Sequence, residues 1–164
     1  MPLDHSELFA AAQKGNLKLV TALLDDGAPV DSTNPAGATA LMMAAGRGRK
    51  KVVQLLLARG ARVNLQSKST KTTALHNAAS NGATEVIELL IEAGAKLEAR
   101  NARGETAFFR AWDLATARAL AKAGAKTSVK STLGHTPAQA ALIVGATARA
   151  KMFKTFDTKK AVKR

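Results

Sequence analysis

The sequence predicts an all-α solenoid: stacked helix-turn-helix units joined by short, protruding, hairpin-like fingers. Three observations lead there. The dipeptide Gly-Ala closes an apolar run four times, at Gly27, Gly60, Gly94 and Gly124, at spacings of 33, 34 and 30. A second mark opens each run, at Thr39-Ala40-Leu41, Thr73-Ala74-Leu75, Thr106-Ala107-Phe108 and Thr136-Pro137-Ala138, at spacings of 34, 33 and 30. Two marks sharing one period near 33 define a repeat of one supersecondary unit. The third observation is composition. Of 164 residues, 35 are Ala, aromatics make up 4%, and there is one Trp and no Tyr. A core of small aliphatic side chains favours closely packed helices over sheets.

Each element follows from its residues. The threonines stand where a helix N-cap belongs, with a hydroxyl able to accept from a free backbone N–H. Pro137 takes the first helical position, where its missing donor costs nothing. A short helix follows, carrying alanine pairs on its packed face, Ala44-Ala45 and Ala78-Ala79. Gly15, Gly48 and Gly82 mark the turn to a second helix, read from Val52-Val53 with Leu55-Leu56-Leu57 and from Val86-Ile87 with Leu89-Leu90-Ile91. Gly60 and Gly94 end those helices in a conformation that glycine tolerates. A finger of about ten residues leads to the next threonine, within the repeat's period.

Taken together, Thr73-Ala74-Leu75-His76-Asn77-Ala78-Ala79-Ser80-Asn81-Gly82, Val86-Ile87-Glu88-Leu89-Leu90 and Gly94-Ala95 resemble an ankyrin repeat. Ala40-Leu41, Ala44-Ala45, Val52-Val53, Gly60-Ala61 and Val63-Asn64 form a second. The resemblance implies a single domain over residues 1–156 with five units, at about 4–34, 35–67, 68–100, 101–130 and 131–156, followed by a polar, basic tail at 157–164 that is read as a frayed end. Unit 1 departs from the pattern at its start, as an N-terminal cap does. Unit 4 is three residues short, lacks the glycine turn, and puts Trp112 at the second position of the alanine pair. There the helices must splay or the ring must turn outward. The expectation is a shortened helix pair with Phe108, Phe109 and Trp112 replacing the small-residue seam. In unit 5, Met152, Phe153 and Phe156 are expected to close the stack.

Little in the sequence points to catalysis. With no Cys there is no disulfide, thiol nucleophile or thiolate zinc site. His5, His76 and His135 fall in units 1, 3 and 5, too far apart to share a metal. The resemblance implies that His76 is a structural histidine bonded to neighbouring backbone. Gly46-Arg47-Gly48-Arg49-Lys50-Lys51 lacks the ending of a phosphate loop and reads as a solvated turn. Glu85, Glu88 and Glu92 read as a solvated helix face, paired with Lys50 and Lys51 of the adjacent unit. No cofactor, metal or enzymatic activity is expected.

Net charge is +13, distributed as −3 over residues 1–34, +7 over 35–68, −1 over 69–100, +4 over 101–130 and +6 over 131–164. Such a field attracts acidic proteins, nucleic acid or anionic lipid alike. No apolar run approaches the roughly 18 residues of a membrane span. The N-terminus lacks signal-peptide features, so the chain as written reads as cytoplasmic, or as periplasmic if it is a trimmed mature form. Stacking aromatics are scarce, which argues against single-strand nucleic acid.

The resemblance implies that finger tips and exposed first-helix positions form a concave groove holding a folded partner. Carried over residue by residue, the groove presents Gln13 and Lys14, then Met43 and Arg47, then Asn77, Ser80 and Asn81. Unit 4 adds Arg103, Glu105, Arg110 and Asp113, and unit 5 adds Leu133 and Ile143; the irregularity of unit 4 makes Trp112 a further candidate anchor. The expected ligand is one protein partner with an acidic surface, an enzyme among the candidates, met by a chain that is monomeric when unbound. The expected role is to block or regulate that partner, as small bacterial immunity or self-protection proteins of this kind do. A charge-driven binder of nucleic acid or anionic membrane, and a passive scaffold, remain open.

Overall fold

A computed structural model describes residues 6–157; His5 and residues 158–164 of the basic tail lie outside the described residues. Among the described residues, ten helices alternate between two layers. The first layer holds α1 (Glu7–Lys14), α3 (Ala40–Gly46), α5 (Ala74–Ser80), α7 (Ala107–Arg110) and α9 (Pro137–Ile143). The second holds α2 (Leu17–Asp25), α4 (Lys50–Ala58), α6 (Thr84–Glu92), α8 (Leu114–Lys122) and α10 (Thr147–Asp157). Each first-layer helix packs on its own second-layer partner and on the first-layer helices before and after it.

The two sequence marks are the two ends of these helix pairs. Thr39, Thr73, Thr106 and Thr136 each accept from the backbone N–H three residues on. At the other end, Gly-Ala closes the second helix by a Schellman pairing. Gly60 donates its N–H to the Leu57 carbonyl at 3.0 Å and Ala61 donates to Leu56 at 3.0 Å; Gly94 and Ala95 repeat this on Ile91 and Leu90 at 2.9 Å each. Glycine takes φ +84° and +85° at the two corners, where a Cβ is strained. The alanine behind it folds back on the leucine it bonds, which explains why a small apolar residue always follows the glycine.

The core is a continuous column of small residues and leucines. Ala44, Ala45, Ala78 and Ala79 are fully buried between first-layer helices, and Val52, Val53, Leu56, Val86, Ile87 and Leu90 fill the space between the layers. At the far end, Phe108 of α7 packs against Phe153 and Phe156 of α10, with ring centroids 5.5 and 5.3 Å apart. Aromatic rings thus close the stack.

A recurring polar strap ties consecutive units. Asp31, Asn64 and Glu98 each accept, through a side-chain oxygen, the backbone N–H of Arg62, Lys96 and Lys126 in the next unit, at 3.0, 2.8 and 2.7 Å. Lys50 pairs with Glu85 across units at 3.5 Å. The fingers are tight loops rather than paired strands. Among the described residues the single bridge is Thr33 with Thr39. Asn34, Asn101 and Ser131 each donate their N–H to a carbonyl four residues on, with a glycine completing the loop. The unit 3 finger is one residue longer. It has no glycine, and Lys71 adopts φ +56° instead. Three hydroxyls brace it, with Ser67 Oγ 2.8 Å from Thr70 Oγ1 and Thr72 Oγ1 3.1 and 2.9 Å from the two.

Unit 4 corrects the expected seam. Ala111, not Trp112, is the buried small residue, and Phe108 and Phe109 are buried beside it, but the Trp112 side chain is 62% exposed. Nor is the whole pair shortened. Helix α7 has four residues where α5 has seven, while α8 keeps the nine of α4 and α6. The chain turns extended at Ala111 (ψ 124°), and the Trp112 N–H donates to the Ala79 carbonyl at the end of α5, 2.9 Å away. The three missing residues are the turn itself, and a bond to the preceding unit replaces it.

Leu56 lies in a central unit and is fully buried. Leu56→Ala should cost ~2–5 kcal/mol by lost burial and cavity formation, read as a shift in urea midpoint at unchanged slope.

Candidate partner-binding face

In the central units, the fourth residue after each capping threonine is partly exposed between buried neighbours: Met43, Asn77 and Arg110. The residues just before the turn glycines, Lys14, Arg47 and Asn81, are exposed, and Arg103 is exposed at the tip of the unit 4 finger. The first-layer helices therefore present Lys14, Met43, Arg47, Asn77, Asn81 and Arg110 at matching register positions. The side chains of Lys14, Arg47 and Arg103 have no ion-pair partner among the described residues.

Other expected members already carry bonds within or between units. The Asn77 Nδ2 donates to the Met42 carbonyl of the preceding unit at 3.2 Å, and the Asn81 Nδ2 donates to the Asn77 carbonyl at 2.9 Å. The Arg110 Nε donates to Ser80 Oγ at 3.0 Å, and its Nη1 lies 3.5 Å from Glu105 Oε2. Asp113 is exposed, but its Oδ1 caps α8 by accepting the Thr116 N–H at 2.8 Å. Its other oxygen hangs over Gly82, where any Cβ would meet it at 3.0 Å. Glu105 is not the exposed groove residue the sequence suggests, although it contributes to the lining of a cleft. It is 8% exposed, accepts from Asn101 Nδ2 at 2.9 Å, and is buried beneath the finger. Leu133 and Ile143 are exposed as expected.

His76 answers to its structural reading. Its Nδ1 accepts from the Thr73 N–H at 3.3 Å, and its Nε2 donates to the Glu105 carbonyl of the next unit at 3.0 Å. These bonds define the neutral tautomer with the proton on Nε2. Burial pushes its pKa below the usual 6.5, reinforced by the nearby Arg110 and opposed by the bond to Glu105. With Nδ1 held in the capping box of Thr73 and Nε2 bonded to the Glu105 carbonyl, neither nitrogen is available to a substrate. No group of three or more potential metal ligands is clustered among the described residues. Two features escaped sequence reading. Arg49 lies over Gly15, its Nε donating to the Gln13 carbonyl at 3.0 Å. Arg149 occupies a core register position. The register itself could have revealed it, since α2, α4, α6 and α8 put Leu19, Val52, Val86 and Thr116 at that place.

The stacked helix pairs, their threonine caps and their Gly-Ala closures define a repeat solenoid whose available surface suits binding. The chain belongs to the ankyrin-repeat family: a family model of three ankyrin repeats matches residues 8–101 and again 63–131. Ankyrin repeats are non-enzymatic modules that mediate protein–protein interaction. Among curated relatives, the chain is similar to a probable E3 ubiquitin-protein ligase XBOS33 of Oryza sativa subsp. japonica, 51% identical over 32% of this chain and 10% of that protein. It is also similar to ankyrin repeat domain-containing protein 29 of Danio rerio, 44% identical over 40% of this chain and 22% of the relative. The mitochondrial disaggregase of Homo sapiens is 47% identical over 35% of this chain and 8% of the relative. The matched segments thus span about a fifth or less of these relatives. No described helix is long and apolar enough to cross a membrane.

Two measurements check this description. Because the His76 pKa is depressed on folding, the unfolded chain takes up the extra proton first. The stability contributed by neutral His76 is therefore complete above 6.5 and is lost as pH falls toward the lowered folded-state value. His76→Gln copies the capping box that Gln139 makes with Thr136 in unit 5. The variant's urea midpoint should fall less than the wild type's between about pH 7 and pH 5. Trp112, the sole tryptophan, should emit as a solvated indole in the free protein and shift to the blue when a partner covers this face. An emission maximum already that of a buried ring in the free protein would contradict the placement.

Proposed function

We propose that this chain is a binding module whose first-helix and finger face holds one folded protein with an acidic surface, and that binding inhibits or regulates that partner, most naturally an enzyme. The observation that carries this reading is that Lys14, Arg47 and Arg103 are exposed without carboxylate partners among the described residues, and that Trp112 is exposed as well. Arginine and tryptophan are the residue types that anchor interfaces. Helices locked by caps and alanine seams offer a preformed surface, which lowers the ordering cost of association. A rigid surface seated on a partner covers what lies beneath it, so occlusion is the direct effect of binding. Met43, Asn77, Asn81, Arg110 and Asp113 border the same surface and complete the proposed contact set.

The charge of +13 favours one rival, attraction to any polyanion, nucleic acid and anionic membrane included. Charge reversal at chosen places separates the two. Reversing arginine within a desolvated interface costs ~2–5 kcal/mol and acts on the off-rate, whereas reversing a remote lysine changes only the on-rate and its salt dependence. Arg47→Glu with Arg103→Glu should abolish affinity capture of the partner from native lysate at moderate salt. Lys51→Glu with Lys151→Glu, an equal change in charge at exposed second-layer positions, should leave it. Equal loss in both folded variants would establish net-charge attraction.

A further inference from the structure

Helix α10 carries a charge where every other unit carries a core residue. The third position of the second-layer helix is Leu19, Val52, Val86 and Thr116 in units 1 to 4, and Val52, Val86 and Thr116 are buried. In unit 5 it is Arg149. Its stem is covered, its Nε is buried with no hydrogen-bond partner, and its guanidinium lies 5.7 Å from the centre of the Phe153 ring. The head enters a cleft of about 150 Å³ between units 4 and 5, shared with Arg103, Arg110 and Glu105, with the exposed Val144 at its rim.

The charges there do not balance. Three guanidinium groups face one carboxylate, and Glu105 is already bonded to Asn101 and near Arg110. Burial disfavours the charged form of Arg149 and Arg110 adds repulsion, which Glu105 only partly offsets. A partly buried cation that the Phe153 ring face compensates only in part is destabilising, and a low-dielectric wall focuses its field into the opening. The cleft is below the ~300–1,000 Å³ of small-molecule sites, but it admits a side-chain carboxylate. Arginine is suited to such a partner because its planar fork pairs with carboxylates through two parallel bonds.

We infer that the cleft formed by Arg103, Arg110 and Arg149 is an anion site that receives a carboxylate from an acidic segment of the partner protein. The inference rests on the protein-binding reading and supplies its chemistry: an acidic side chain inserted between units 4 and 5, with Arg149 as the buried anchor and Arg103 at the entrance.

The test is a calorimetric titration of the whole chain with an acetylated, amidated tetraglutamate peptide at near-physiological salt. The wild type should bind it saturably. Arg149→Met keeps the length of the stem and returns the position to apolar character. It should weaken binding by more than about tenfold, as loss of a buried charge partner does, while raising the melting temperature, because an unpaired charge leaves the core. Lys151→Met, an equal charge change on the exposed side of α10, should leave affinity unchanged. A melting temperature that falls in Arg149→Met would mean the arginine serves packing and would overturn the inference. So would an absence of peptide binding, an equal loss in both variants, or inorganic phosphate binding at this cleft more tightly than the peptide. Since the readout is a peptide titration, a failure here condemns the cleft alone; the charge-reversal capture tests the wider face separately.

Discussion

A pair of helices seven and nine residues long cannot bury its own apolar stripe, so every unit depends on its neighbours approaching closely. The alanine pairs make that approach possible. Ala44-Ala45 and Ala78-Ala79 put only methyl groups at these seam positions of the first-layer helices, and all four are fully buried. Helices that meet through such residues sit near the lower end of the 8–10 Å packing range. The rest follows from that spacing. The turn glycines lie under side chains of the next unit, as Gly15 does under Arg49 and Gly82 under Trp112 and Asp113. The strap residues Asp31, Asn64 and Glu98 reach the next backbone directly, without water, because the separation is short.

Unit 4 shows what happens where the seam fails. A tryptophan cannot enter a gap built for alanine, and the sequence offers one at the second alanine position. Deletion of the turn residues resolves the conflict. With the turn gone, the chain leaves the helix at Ala111, the Trp112 backbone closes on Ala79, and the ring leaves the seam. The volume the seam loses is filled one register earlier, by Phe108 against Phe153 and Phe156. The aromatic end of the chain and the shortened unit are one packing solution.

The fold was legible because the marks that recur are the ones physics makes obligatory. Threonine caps and Gly-Ala closures satisfy backbone groups that have no other partner, so they recur in register and can be counted. The groove was legible only as a set of positions. Whether Asn77, Arg110 or Asp113 is free for a partner depends on what the adjacent unit offers, Met42, Ser80 or Gly82, and those neighbours lie about 30 residues away in sequence. The burial of Glu105 is hidden for the same reason, since the sequence shows a charged residue on a finger but not the Asn101 and Arg110 that enclose it. For Trp112, steric exclusion says that a ring must leave a seam without saying which way the backbone will yield. The signal of Arg149 lies not in the apolar marks that recur but in the one unit that breaks them, so it is visible only against the register of the other four.

The irregularities gather in units 4 and 5, and the one-dimensional organisation of the stack explains how the chain tolerates them. Each unit touches only its neighbours, so stability is close to a sum of local and nearest-neighbour contributions. Units 1 to 3 keep valine and leucine at the core positions and alanine at the seams. A solvent-facing tryptophan, an unpartnered Thr116 hydroxyl and a charged Arg149 therefore weaken only the contacts around them. In a fold with a single shared core the same three residues would act on every element at once. A solenoid can in this way keep a regular, self-supporting half and place beside it a half whose departures from good packing leave polar and aromatic groups uncommitted. Such groups are the ones able to gain most from an incoming surface, because pairing them removes a cost the free protein already bears.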